Sequence, residues 1–289
     1  MNDLRKVQMS QLDIVLEIDR ICRNNNIKYV LIGGSLLGAI RHKGFIPWDD
    51  DLDIGMLRND YNKFLNLCYK DELNSNYSIQ NWENEKNYGL GFSKIRINKT
   101  HYVEKTSQKL KINDGIFVDI FPYDNYFDDK KKQKKMLNSI AFWDRIYIYK
   151  KGFIPLNNTL FKRLLAKAVR FVSFFMSDKF IRNKLNEITD SGEINSKYLI
   201  NCYGCYKYKD VLLRESFDEI IYYEFEGYKL PIPKCYDENL KTIYGDYMTP
   251  PPMDKRYNRH GILKIDFGTY EPSNKTYKKE INSIERKRR

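Results

Sequence analysis

Residues 49–53 read Asp-Asp-Asp-Leu-Asp directly after Trp48, four carboxylates within five positions. Asp51 and Asp53 are each followed by an apolar residue, as a buried strand requires, and on a strand positions i and i+2 share one face. The register Asp49-x-Asp51 stays open, but only Asp51 and Asp53 satisfy that apolar pattern. Two carboxylates held on one face repel unless a cation lies between them, and hard oxygen donors of this kind suit Mg²⁺ or Mn²⁺. A third acid, Asp119, interrupts the apolar run Gly115–Phe121 and can reach the same ion or a second one roughly 4 Å away. Upstream, Gly33-Gly34-Ser35 follows an apolar run, and its bare backbone N–H groups can approach a phosphate closely. A phosphate cradle, a metal dyad and a third carboxylate able to deprotonate a hydroxyl are the parts of metal-assisted transfer at phosphorus. Asp49 and Asp50 would then shape the approach or bind solvent. Taken singly, each part has a commonplace reading: a solvated turn, a glycine bend, an acid at a strand edge. Their order along the chain joins them.

The elements that must position these groups follow from periodicity. Leu4, Leu12, Val15, Leu16, Ile18 and Cys22 predict a helix over 4–24, stopped by Asn24-Asn25-Asn26. A buried strand is expected over 27–33, a short helix from the glycine turn to Lys43, a strand over 51–56 and a helix over 60–69. Residues 88–104 and 115–121 have strand composition, the second ended by Pro122. From about 128 to 200 the chain becomes Lys-rich and helical. A hairpin is expected in FEGYKLPIPK, then a short helix ending at Gly245. The expected fold is α+β: a mixed sheet flanked by helices forms a core over 1–127, followed by a basic helical insertion over 128–210. A segment over 211–270 packs back on the core, and a frayed basic tail covers 271–289.

The 289 residues, 42% of them apolar, suffice for a substantial core. Fifty basic against 38 acidic side chains leave a net charge of +12, which favours polyanionic partners. Acidic residues interrupt every apolar run near the start, so no signal peptide is readable and a cytoplasmic location is expected. Five scattered cysteines suit reduced thiols better than a disulfide framework. The lone Cys202-Tyr-Gly-Cys205 lacks the second ligand pair a structural zinc needs.

Apolar strand, Gly-Gly-Ser, short helix, Asp-Leu-Asp and a distant third acid together resemble the nucleotidyltransferase superfamily. The wording IRHKGFIPWDDDLDI (40–54) is similar to the LicD family, which includes bacterial phosphocholine transferases and is related to fukutin and fukutin-related protein. GIFVDIFPYD (115–124) and FEGYKLPIPKCYDENLKTIYGDYMTPPP (225–252), with Arg256 and His260 beyond, also resemble LicD segments. The resemblance spans roughly 10–125 and 210–260, and fifteen residues separate Ser35 from Asp51, as is usual for LicD-like chains.

The resemblance implies that Asp51, Asp53 and Asp119 bind Mg²⁺ and that Gly33, Gly34 and Ser35 hold the donor's phosphates. It implies transfer of a phosphoalcohol, phosphocholine first, from a cytidine diphosphate (CDP) alcohol such as CDP-choline. The acceptor is a hydroxyl of a lipopolysaccharide, teichoic acid or capsule precursor, and CMP leaves. Arg41, His42, Lys43, Lys94 and Arg96 are candidates to neutralise the donor's charge, and Trp48 to stack on its base or on choline methyls. Arg41 and Lys43 also suit a helix C-terminus, His42 and His260 read more readily as structural, and Tyr244 as a helix cap. Nucleotidyl transfer at an α-phosphorus is the alternative reaction.

TLFKRLLAKAVRFVSFFM (159–176) mixes four cations with Leu, Val and Phe at helical spacing, which excludes a conventional membrane span. It fits either ordinary packing or peripheral contact with an anionic leaflet. The run KKKQKK (130–135) and 23 tyrosines raise nucleic-acid binding, but no RNA-binding signature accompanies them, so that function is not expected.

Overall fold

Asn2 accepts the backbone N–H of Arg5 at 2.9 Å and starts α1 (Asp3–Asn24), the first helix of the computed structural model, which describes residues 2–154, 159–257 and 261–272. The expected tail falls outside these residues from 273 onward, and so does His260. The helix matches the predicted bounds within a residue, but it is not amphipathic in the ordinary sense. Leu12, Val15 and Ile18 are buried on it, and so are Gln8, Gln11, Asp13 and Asp19. A helix sunk in the protein with polar groups on board must find partners for them.

The chain continues through β1 (Val30–Leu31), α2 (Gly33–His42), β2 (Asp53–Leu57), α3 (Arg58–Cys68), β3 (Tyr77–Gln80), β4 (Ser93–Ile97), β5 (His101–Glu104) and β6 (Phe117–Asn125). Helices α4 (Lys130–Lys151), α5 (Leu160–Phe174) and α6 (Asp178–Thr189) then form the expected basic helical region. Side chains of Asp129, Thr159 and Ser177 cap their N-termini. There follow β7 (Tyr198–Ile200), β8 (Val211–Leu213), α7 (Glu215–Asp218), the hairpin β9 (Ile220–Phe225) and β10 (Tyr228–Pro233), α8 (Tyr236–Tyr244) and β11 (Ile262–Asp266). Glu226 and Gly227 turn the hairpin with φ of 51° and 79°, the left-handed pair that a tight two-residue connection needs.

The main sheet is mixed, in the order β1-β2-β6-β4-β3, with β7 continuing along β6 and β8 on β7. Among the described strands only β2 and β6 run parallel, and they set Asp53 opposite Asp119. β4 pairs antiparallel with the other side of β6 and sets Lys94 opposite Asp119. Both faces of this centre are buried, so β6 reads as an almost continuous apolar run.

Of the expected boundaries that differ, three bear on the site. The strand predicted over 27–33 shortens to Val30–Leu31, because α2 begins at Gly33 and β1 meets β2 over two positions only. The strand predicted from Asp51 begins at Asp53. The parallel ladder opens at the Leu52 carbonyl, which accepts the Asp119 N–H at 3.0 Å, and residues 49–51 form a loop before it. Pro122 does not end its strand, for β6 runs on to Asn125. Pairing with β4 stops at Ile120 and pairing with β7 begins at Asp124, so a residue without an N–H fits the gap between them. Among the described residues no helix is long and apolar enough to cross a membrane.

Candidate functional site

The polar groups of α1 hold the acidic loop. Gln8 Nε2 donates to the carbonyls of Ile46 at 3.2 Å and Asp49 at 2.8 Å, and Gln11 Nε2 donates to that of Asp50 at 2.8 Å. Carboxylate oxygens of Asp49, Asp50 and Asp51 lie within 4.8 Å of one another. Asp50 departs from its expected role at the approach or as a solvent ligand: it is 1% exposed and accepts a hydrogen bond from Tyr102 Oη. In the loop conformation its side chain turns toward β5, where a buried carboxylate requires such a donor.

The other predicted acids meet across the sheet. Asp53 and Asp119 are register partners on parallel strands, so both side chains stand on one face. Lys94 Nζ donates to Asp119 Oδ1 at 2.7 Å. Burial pushes the Asp119 carboxyl up to about 6; Lys94 opposes that, while the charges of Glu104 and Asp51 add to it. Asp51 precedes the strand, so strand alternation does not place it beside Asp53. The two acids nevertheless bear on the same groups: after burial and neighbouring partners, both raise the Cys205 thiol and the Tyr206 phenol. Arg96 is not with the acids. It is 2% exposed and donates to Gln80 Oε1 and to the Gly115 carbonyl, each at 2.5 Å, bracing the entry to β6.

The glycine turn lies opposite the carboxylates. Gly33 has φ of 52° and begins α2, whose N-cap, Ile32, supplies no side-chain acceptor of its own for the first-turn amides. A Cβ on Gly34 would lie 2.8 Å from Asp49 Oδ2, and one on Gly33 would lie 3.7 Å from Asp53 Oδ2. Ser35 ties the two halves together, its Oγ accepting the Asp53 N–H at 2.8 Å. Hard oxygen donors converging on a helix N-terminus whose N-cap residue is apolar fit a divalent cation such as Mg²⁺ shared with a phosphate.

Aromatic and basic groups form the rim. The hydroxyls of Tyr206 and Tyr244 are 2.7 Å apart, and both side chains come within 4 Å of the Gly33 Cβ position. Tyr244 therefore faces the site, and Gly245, with φ of 70°, ends α8 in its place. No periodicity or motif points to Tyr206, which lies in a Lys-rich stretch and is fixed by its N–H to Asp210 Oδ2 at 2.8 Å. Arg256 stacks over Trp48, 5.1 Å from the ring centroid, and His42 meets the same indole edge-on at 6.2 Å. Burial, then Arg41 and Arg256, lower the His42 pKa, so it sits neutral and accepts from Arg41 Nε at 3.0 Å. Arg41 also donates to the Tyr247 carbonyl at 2.8 Å. Lys43, in the left-handed C-cap of α2, points its ammonium to Glu224, 3.7 Å away on β9.

Residues 26–168 match the family LicD/FKTN/FKRP, nucleotidyltransferase domain. The lipopolysaccharide cholinephosphotransferase LicD of Haemophilus influenzae is 30% identical over 266 residues, covering 89% of this chain and 96% of that protein. Human ribitol 5-phosphate transferase FKRP is 56% identical over 34 residues, 12% of this chain and 7% of that protein. An uncharacterized protein of Rickettsia prowazekii is 46% identical over 55 residues, 19% of this chain and 21% of that one. Similarity over nearly the whole of both chains, together with acids, glycine turn and sheet register in one place, makes this chain a member of the LicD family.

Proposed function

We propose that this protein is a phosphotransferase that moves a phosphoalcohol, phosphocholine first, from a CDP-alcohol to a hydroxyl of a cell-surface glycan precursor, with CMP leaving. The observation that carries the reading is Asp53, in register with Asp119 on parallel strands and beside the glycine turn of α2. Near-full-length similarity to a lipopolysaccharide cholinephosphotransferase supports the cargo, and the short similarity to a ribitol 5-phosphate transferase supports phosphoalcohols as the class.

The donor's diphosphate sits at the N-terminus of α2, where the amides of Gly34 and Ser35 and the helix dipole favour negative charge. Asp51, Asp53 and Asp119 would hold Mg²⁺, which supplies neutralisation of phosphate charge when bound. Arg256, stacked over Trp48, and Arg41, linked to that indole through His42, neutralise the departing CMP, and the indole offers its face to the base or to a quaternary ammonium. The acceptor oxygen forms its bond to the β-phosphorus as the bond from that phosphorus to the oxygen of CMP breaks. The acceptor's proton passes to a carboxylate, for which Asp119 Oδ2 is suited, Oδ1 being engaged by Lys94.

Purified protein incubated with a panel of CDP-alcohols, a glycan acceptor and Mg²⁺ should release CMP, and EDTA should stop it. Pyrophosphate release from a nucleoside triphosphate instead would assign attack at an α-phosphorus. No release from any donor would overturn the proposal.

A further inference from the structure

Helix α5 is mounted the opposite way round from a helix of a water-soluble fold. It rests on α4 through residues of small or modest size at helical spacing: Ser173 is 1% exposed, and Ala166 and Val169 are half-buried. Successive residues turn by 100°, so the larger apolar side chains occupy the arc facing away from that contact. Leu160, Phe161, Leu164, Phe171, Val172 and Phe175 are between 56% and 77% exposed. An amphipathic helix in water buries this arc and exposes its small and polar residues. Here the arc is outward. Arg163, Lys167 and Arg170 border it along one edge, Lys162 stands in the first turn, and no acidic residue occurs from 159 to 177. The Arg170 guanidinium folds back over Gly152, 3.3 Å from where a Cβ would stand, which leaves the apolar arc clear.

We infer that α5 docks this protein on an anionic lipid surface, lying in the interface with its phenylalanines and leucines among the acyl chains and its cations at the headgroups. Apolar area and cationic flanks on one helix match the two energy sources of interfacial binding, acyl-chain burial and attraction to negative headgroups. A protein partner covering this arc would have to be both apolar and acidic; an anionic bilayer is both without any further design. The inference does not rest on the phosphotransfer reading, since it is measured by partition and not by turnover.

The test uses the full chain with sedimented vesicles of phosphatidylcholine, alone or mixed with phosphatidylglycerol. Binding to the mixed vesicles is expected, at least about tenfold weaker for phosphatidylcholine alone and weakened by salt. Leu164→Glu/Phe171→Glu should lower the partition coefficient by about tenfold or more with an unchanged circular dichroism spectrum, since both side chains are exposed in the free protein. Phe171→Trp should show blue-shifted emission on mixed vesicles, which adhesion by surface charge alone does not produce. Equal binding by the double glutamate variant, or unshifted emission from Phe171→Trp, would overturn the inference. So would a dimer in solution that the double glutamate variant dissociates, because the arc would then belong to a second copy of the chain.

Discussion

Lys94 Nζ and Asp119 Oδ1 lie 2.7 Å apart at directly opposed positions of adjacent antiparallel strands. The ammonium is also 3.3 Å from the Phe117 ring centroid, so it is held by an ion pair and by an aromatic face at once. Lys94, 2% exposed, thus supports the third carboxylate from within the sheet.

Removing one partner of this pair should cost more than removing both. Lys94→Met leaves a buried carboxylate uncompensated and should destabilise by about 3 kcal/mol in chemical denaturation. Lys94→Met/Asp119→Asn should recover most of that loss while staying inactive. Equal stability of the two variants would show that the pair carries no coupling.

Asp51→Asn and Asp53→Asn should each lower CMP release by about a thousandfold or more while the circular dichroism spectrum is kept. Both amides are nearly isosteric and remove only charge and metal affinity. Full turnover in either variant would remove that residue from the ligand set.

The glycine turn offers a test that separates site from fold. Gly34→Ala places a methyl 2.8 Å from Asp49 Oδ2, a flexible group that can move aside. Stability should change by no more than about 1 kcal/mol, the helix propensity of alanine offsetting the displaced carboxylate. Turnover should fall at least tenfold. Gly33→Ala should also cost about 1–2 kcal/mol in stability, because Gly33 has φ of 52°.

Asp144, on α4, lines a cavity of about 830 Å³ with Tyr126, Cys202 and Tyr203, and burial pushes its carboxyl up to about 7. Its folded pKa lies above the unfolded value of 3.8, so the folded protein binds the extra proton between these limits. The associated stability is present below pH 3.8 and is lost as pH rises through about 7. Asp144→Asn should therefore be more stable than the parent at pH 8 by about 2 kcal/mol, half the value of the full displacement since the side chain is half-buried. The two should converge near pH 4. Denaturation midpoints across this range would show it.

Much of this site was legible in the sequence because its parts are local. The glycine turn, Asp53 and Asp119 each announce themselves through an apolar strand that a polar residue interrupts, and the sheet register then sets the two acids side by side. The inward turn of Asp50 was not legible, since it depends on Tyr102, fifty-two positions away. Nor was the role of Arg96, where strand alternation correctly put it on the side of Lys94 but Gln80 and the Gly115 carbonyl enclose it. Tyr206 had no signal at all: its place depends on a turn closed by Asp210, which no periodicity encodes. Pro122 misled because a proline ends a strand only when its missing N–H is needed, and neighbouring pairings leave a gap there.

The family match begins at residue 26, yet the glutamines that pin the acidic loop are at positions 8 and 11. Tyr206, Tyr244 and Arg256 lie past its other end, at residue 168. A recombinant fragment cut to the matched stretch would keep every acid and lose what aims them. Deletions that enter α1 should silence catalysis even where a folded remnant survives.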